Sequence, residues 1–187
     1  PYYNRPTQAG VIEHFTRVAE ATPLPLIMYN IPSRTGTNME AATTVRLAQI
    51  PNIVGIKEAS GDLDQVGDII HLAPADFAVL SGDGSLTFSI CCLGGVGGIL
   101  ADAHVLPDQW RRMVTLIAQG SIAEAREIHY RLLPITTALF MESNPAPAKA
   151  ALDMMGICSP QVRLPLLSAT DACRAVLREE LSKLGII

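Results

Sequence analysis

A parallel α/β fold is predicted by three features of the chain. Short apolar runs alternate with amphipathic helical stretches through the first two thirds of the sequence. No strand signal follows Ser121. The run Ile53 to Lys57 is apolar and β-rich, as befits a strand buried on both faces, and ends abruptly in a lysine. The composition agrees with a globular chain: 49% of the 187 residues are hydrophobic and 17% are charged, so apolar burial can offset chain entropy.

Residues 1–6 read as a loop, with tyrosines, an asparagine and an arginine between prolines. Gln8 to Ala21 has apolar residues at Val11, Ile12, Phe15, Val18 and Ala19, which is helical spacing. Pro23 and Pro25 stop that helix, and Leu26 to Tyr29 forms the first strand. A Pro/Ser/Gly loop spans Ile31 to Gly36. Asn38 is expected to cap a second helix, which Pro51 ends before the Ile53 strand. Leu63 to Ala73 is helical, Phe77 to Leu80 a strand, and Leu86 to Leu93 a short helix. Gly94 to Ala101 is predicted to hold a glycine-interrupted strand, and Val105 to Gln119 a helix. Ser121-Ile-Ala-Glu124 has the form of a capping box, with Pro134 a kink or break in the helix it opens. Helices over Pro145 to Met155 and Ser168 to Leu184 complete the chain. The predicted division is a strand-bearing region at residues 1–120 and a helical region at 121–187. A doubly wound open sheet and a (β/α)8 barrel both fit these four strand-then-helix units.

Charge and cysteine content narrow the function classes. The net charge of −4 comes with no basic block, which argues against nucleic acid or anionic membrane as a partner. The uncharged stretch from Gly84 to Ala101 is short and glycine-rich for a membrane span. Gly94-Gly95-Val96-Gly97-Gly98 precedes its strand, so it lacks the context of a dinucleotide fingerprint. Cysteines at 91, 92, 158 and 173 form no Cys-x-x-Cys pair and read as reduced structural thiols. The four histidines lack metal-ligand spacing, and no metal site is expected. With no leader resembling a signal peptide, a cytoplasmic location is expected.

In both parallel architectures ligands bind at the C-terminal ends of strands. Tyr29 and Asn30, Lys57 and Glu58, Ser81 to Asp83, and Ile99 to Asp102 stand at those ends. By strand alternation, Ile27 and Tyr29 share one face, and Ile53, Gly55 and Lys57 share another. If those faces are equivalent, a phenol and an amine converge on one pocket. A lysine amine held from solvent is a nucleophile toward carbonyls, and a phenol can return the proton as the carbinolamine loses water. The ordinary alternatives are a surface Lys57 paired with solvent or Glu58, and a core Tyr29 with its hydroxyl tied to backbone. Arg34, just beyond the first strand, suits a carboxylate ligand or is a solvated loop arginine.

Pro1-Tyr-Tyr-Asn-Arg-Pro6, Tyr29-Asn-Ile-Pro-Ser-Arg-Thr-Gly36, Gly55-Ile-Lys-Glu-Ala-Ser-Gly61, Leu80-Ser-Gly-Asp83 and Asn144-Pro-Ala-Pro-Ala-Lys149 together resemble the dihydrodipicolinate synthases. These are members of the class I pyruvate-dependent lyase and aldolase family that includes N-acetylneuraminate lyase. The resemblance implies strands 5–8 of a (β/α)8 barrel followed by a C-terminal helical extension. It implies an imine between Lys57 and pyruvate with no other cofactor, and proton transfer by Tyr29. It implies a relay role for Tyr3 across a subunit interface, an aldehyde carboxylate on Arg34, and the Ile99 carbonyl and Gly82 beside the substrate. A homotetramer is the family's usual assembly. The implied reaction joins pyruvate to L-aspartate 4-semialdehyde on the route to diaminopimelate and lysine. Leu100-Ala-Asp-Ala-His104 departs from the family pattern, which leaves another pyruvate aldolase acting on a sugar acid or hydroxy-oxo acid as the alternative. The family's proton relay also includes a threonine from the earlier barrel half, which has no counterpart in this chain, so a fragment of a longer protein is expected, active or inactive by itself.

Overall fold

The computed structural model describes residues 1–187, in two compact units, Pro1–Ile99 and Leu100–Ile187. The first unit runs α1 (Gln8–Glu20), β1 (Leu26–Asn30), α2 (Pro32–Thr35), α3 (Ala41–Leu47), β2 (Ile53–Glu58), α4 (Leu63–Leu72), β3 (Ala78–Ser81), α5 (Gly84–Leu93) and β4 (Gly97–Gly98). Its four strands form one sheet in the order β1-β2-β3-β4, every neighbouring pair parallel. Spatial order follows chain order, so these strands contain no reversal of the kind that marks a doubly wound sheet.

Helix starts are set by side chains that satisfy free backbone N–H groups. Thr7 Oγ1 accepts from Gly10 N at the head of α1. Asp62 accepts from Asp64 N and Gln65 N at the head of α4, and Asp83 from Ser85 N at α5. Glu40, and not Asn38, occupies the N-cap position of α3. Asn38 spends its amide on Asn30 and Gln65 instead. Residues 32–35 form a helical turn where a loop is predicted, because Pro32 supplies the backbone angle of a first helical residue and Gly36, at φ 74°, supplies the left-handed stop.

One core holds the helices to one face of the sheet. Met28, Ile53, Ile56 and Val79 from the strands are buried with Val11 and Ala19 of α1, Leu47 of α3, Val66 and Ile69 of α4, and Ile90 of α5. Each large side chain among them contributes about 1.5–3 kcal/mol by leaving water. Ile53 lies in this core, although simple alternation places it on the face of Lys57. The register pairs Leu26 with Ile53 and Ile27 with Gly55, leaving Val54 without a partner. That extra residue resets the alternation, as a bulge does, so Ile53 turns to the helices while Gly55 and Lys57 turn away.

The glycine-rich run gives a shorter strand than predicted. Gly94, at φ 116°, closes α5, and Gly95 N donates back to Ile90 O. Only Gly97 and Gly98 remain for β4, and flanking bonds from Val96 N to Val79 O and Ile99 N to Ser81 O extend its hold on β3.

The second unit contains a 3-10 turn (Asp102–His104), α6 (Pro107–Ala118), α7 (Ile122–Leu139), α8 (Ala146–Met154) and α9 (Asp171–Lys183). α6 packs on α7, and α9 packs on both α7 and α8. The division therefore falls after Ile99 and not after residue 120: α6 belongs with the helices because its apolar side, Trp110 and Met113, is buried and its packing partner is α7. α7 continues through Pro134 without a break. Ser121 makes no capping bond, since its ψ of 55° lies outside the extended region that directs a hydroxyl to the first free N–H groups. No helix is long and apolar enough to cross a membrane.

Cys91 and Cys173 are buried free thiols, whereas Cys92 and Cys158 are exposed. Burial pushes the Cys91 thiol up from its ordinary 9.0 to about 11. Between those values the unfolded chain loses a proton that the folded chain keeps, so stability falls as pH rises from about 9 to about 11. The slope from this group is at most about 1.4 kcal/mol per pH unit. Urea midpoints measured across that range should fall more steeply for the natural sequence than for Cys91→Ala.

Candidate active site

The C-terminal ends of β1, β2 and β3 bring three of the anticipated residues together. Parallel pairing sets Tyr29 directly opposite Lys57, and Lys57 opposite Leu80, one residue before the Ser81-Gly82 turn. Both side chains leave the sheet on the face away from the helices. The Lys57 ammonium nitrogen lies 4.0 Å from the centre of the Tyr29 ring. Such a contact stabilises a cation by roughly 0.5–2 kcal/mol and holds the phenol and amine side by side. Tyr29 is 44% exposed and Lys57 half-buried, so both remain open to a small ligand.

Lys57 does not pair with Glu58. Adjacent strand residues point to opposite faces, and Glu58 is 1% exposed beneath the sheet while Lys57 stands above it. The carboxylate is held there by neutral donors: Asn30 Nδ2 at 3.0 and 3.2 Å, Ser60 N at 2.6 Å and Gln65 Nε2 at 3.3 Å. The amine is thus left without a salt bridge.

Gly82 forms the wall behind the lysine stem. Its N–H donates to Glu58 O at 2.7 Å, which draws the β3 turn against the end of β2. A Cβ at this position would stand 3.1 Å from Lys57 Cε and 2.7 Å from Ala59 Cβ. Ser81 Oγ donates to Asp83 O at 2.7 Å and accepts from Asp83 N, which closes the turn. Ile99 is tied to the same turn through its N–H to Ser81 O at 2.9 Å, and its side chain is exposed.

The other two anticipated residues stand apart. Arg34 lies exposed on α2 and makes no ion pair. Tyr3 is 84% exposed with a backbone φ of 71°, a left-handed conformation that costs a tyrosine energy. Asn30, Asn38, Glu58 and Gln65 form a polar group that the sequence does not join together. Its one sequence signal is that Asn30 and Glu58 each follow a candidate site residue at the end of a strand.

The site thus holds a lysine amine beside a phenol at the C-terminal ends of parallel strands, where ligands bind in parallel α/β folds. Comparisons with known proteins give the family. Residues 1–184 match the profile of the "Dihydrodipicolinate synthetase family", and the chain belongs to that family. A 4-hydroxy-tetrahydrodipicolinate synthase of Moorella thermoacetica is 50% identical over 187 residues, covering 100% of this chain and 64% of the relative. A dihydrodipicolinate synthase structure from Cyanidioschyzon merolae with lysine bound superposes with a TM-score of 0.96 at 42% identity, over 100% of this chain and 64% of its own. The chloride-inhibited synthase of Acinetobacter baumannii complexed with pyruvate gives 0.96 at 40% identity, with the same coverage. The chain spans about 64% of the length of these relatives.

The packing around Gly82 yields a direct test. Gly82→Ala forces the Ala59 and Lys57 side chains apart and is expected to destabilise the fold by about 1–3 kcal/mol, read as a lower urea midpoint. Gly67→Ala in α4, where an added Cβ meets nothing within 4 Å, should leave stability unchanged or raise it by up to about 1 kcal/mol, read as an equal or higher midpoint.

Proposed function

We propose that this chain is the C-terminal portion of a 4-hydroxy-tetrahydrodipicolinate synthase, an enzyme that condenses pyruvate with L-aspartate 4-semialdehyde. Its four parallel strands in chain order correspond to strands 5–8 of a (β/α)8 barrel, and the final helices to the family's C-terminal extension. The observation that carries the reading is the Tyr29 ring held against the Lys57 amine, in a chain 50% identical to such a synthase.

In this mechanism the neutral Lys57 amine adds to the ketone of pyruvate. The carbinolamine oxygen takes up a proton, supplied through Tyr29, and leaves as water. The resulting iminium is an electron sink, so the pyruvate methyl group loses a proton to give an enamine. That carbon then attacks the aldehyde of the second substrate, whose oxygen gains a proton. The amino group of the condensed semialdehyde then adds to the iminium carbon and displaces the Lys57 amine, which closes the ring as a cyclic imine and frees the lysine; the covalent imine is the only prosthetic chemistry required.

Arg34 is assigned to the carboxylate of the incoming aldehyde, because an unpaired guanidinium offers a bidentate site. Tyr3 is assigned to the proton relay of a neighbouring subunit, in keeping with its high exposure here, and a homotetramer in the cytoplasm is the assembly and location proposed. Ile99, whose N–H is tied to Ser81 O, is assigned the backbone carbonyl that faces bound pyruvate.

Borohydride reduction with pyruvate, read by mass spectrometry on this chain and on a chain of the relatives' full length, tests the imine. A pyruvate adduct on Lys57 in the longer chain, abolished by Lys57→Ala, is the expected result, and no adduct on either chain overturns the reading. The Arg34 assignment has its own outcome. Arg34→Ala should lower turnover of aspartate semialdehyde by about 10-fold or more, in line with loss of a charged contact, while trapping of pyruvate persists. Equal turnover of a sugar-acid aldehyde by the natural sequence would remove the semialdehyde assignment.

A further inference from the structure

We propose that Asn30 and Glu58 are positioning residues for the Lys57–Tyr29 pair, acting from the opposite face of the sheet; the inference rests on the imine reading above. The two residues are directly opposite each other in the β1–β2 register, one step beyond Tyr29 and Lys57. Both are buried, at 3% and 1% exposure. Asn30 Nδ2 donates to both Glu58 carboxylate oxygens and to Asn38 Oδ1 at 2.8 Å. Asn30 Oδ1 accepts from Met39 N at 3.0 Å. Gln65 bridges the far side, donating to Glu58 Oε2 and accepting from Asn38 Nδ2.

This network locks the strand ends in three ways. It joins the end of β1 to the end of β2 through side chains, where the backbone ladder is about to stop: Ala59 N to Asn30 O, at 2.9 Å, is its last rung. It fixes the turn after β2, because Ser60 N donates to the same carboxylate. It also fixes residue 58, whose carbonyl receives the Gly82 N–H and so holds the wall behind Lys57. A buried carboxylate is costly to desolvate when donors do not surround it, yet apolar side chains could have filled the same volume. Directional bonds that rigidify one strand register are the return on that cost. The catalytic pair above the sheet moves with the backbone that this network pins, and misplacement of a reacting group by about 1 Å can cost on the order of 100-fold in rate.

The test is the rate of borohydride trapping of pyruvate in the full-length protein, followed as single-turnover time courses over a range of pyruvate concentrations. Asn30→Asp places two carboxylates against each other. It is expected to lower the maximal trapping rate at least about 10-fold, with the half-saturating pyruvate concentration changed less than about 3-fold. The double change Asn30→Asp with Glu58→Gln restores one donor and one acceptor across the pair, and should recover the rate to within about 3-fold. A residue serving stability alone would lower the melting temperature and leave the trapping rate of the folded fraction unchanged, and that result overturns the proposal. Should Asn30→Asp fail to fold, Glu58→Gln alone decides: a folded protein trapping at the natural rate overturns the assignment, and a slowed one supports it. Absence of trapping in the natural sequence is a different failure. It removes the imine reading itself, and the positioning role with it.

Discussion

The register between β1 and β2 is the constraint on which the rest of the site depends. Parallel pairing sets Tyr29 against Lys57 and Asn30 against Glu58, and consecutive strand residues point to opposite faces. One pairing therefore places a phenol and an amine above the sheet and an amide and a carboxylate below it. A slip of one residue would exchange the two sets, burying an ammonium among apolar helices and exposing the network. The cost of an unpaired buried charge makes such a slip unfavourable. The same chemistry that separates Lys57 from Glu58 thus stabilises the register that aligns Lys57 with Tyr29.

Several local features converge on that register. The extra residue at Val54 lets Ile53 contribute to the core while Gly55 and Lys57 still face away from it. Gly55 is needed because β3 approaches closely: a Cβ there would come within 2.6 Å of Ala78 O. Gly82 permits a close approach just past the other end of β3, where a Cβ would come within 2.7 Å of Ala59 Cβ and 3.1 Å of the lysine stem. Small residues at these points let neighbouring strands bring their ends together, so that the Tyr29 and Lys57 side chains meet from different strands.

Much of the fold was legible in the sequence because periodicity reports burial directly. The Ile53 strand, the helices over Leu63 to Ala73 and Val105 to Gln119, and the helical tail all lie within a few residues of their predicted places. The misreadings share a cause: residues with two possible uses. Asn38 and Ser121 both have capping chemistry, but Asn38 is drawn into a network with Asn30 and Gln65, and Ser121 has a backbone angle unsuited to capping. The glycines at 94 and 95 resemble strand punctuation and instead terminate α5. The division after Ile99 depends on which helix α6 packs against, and a one-dimensional pattern of apolar residues does not name a partner.

The sequence by itself determined which residues are chemically equipped and where strands end. Lysine and tyrosine side chains at strand termini, a glycine beside a serine–aspartate turn, and the order of five motifs are all local properties, and together they identify the family. Only the tertiary structure decided which of those residues meet. Lys57 stands 4.0 Å from the Tyr29 ring and apart from Glu58, its immediate neighbour in sequence, while Glu58 meets Asn30 across 28 positions. The physical reason is that adjacent strand residues diverge by geometry, and residues on different strands converge only once hydrogen bonding has fixed the register. That register is settled by the summed burial of the core and by the hydrogen bonds of one buried carboxylate.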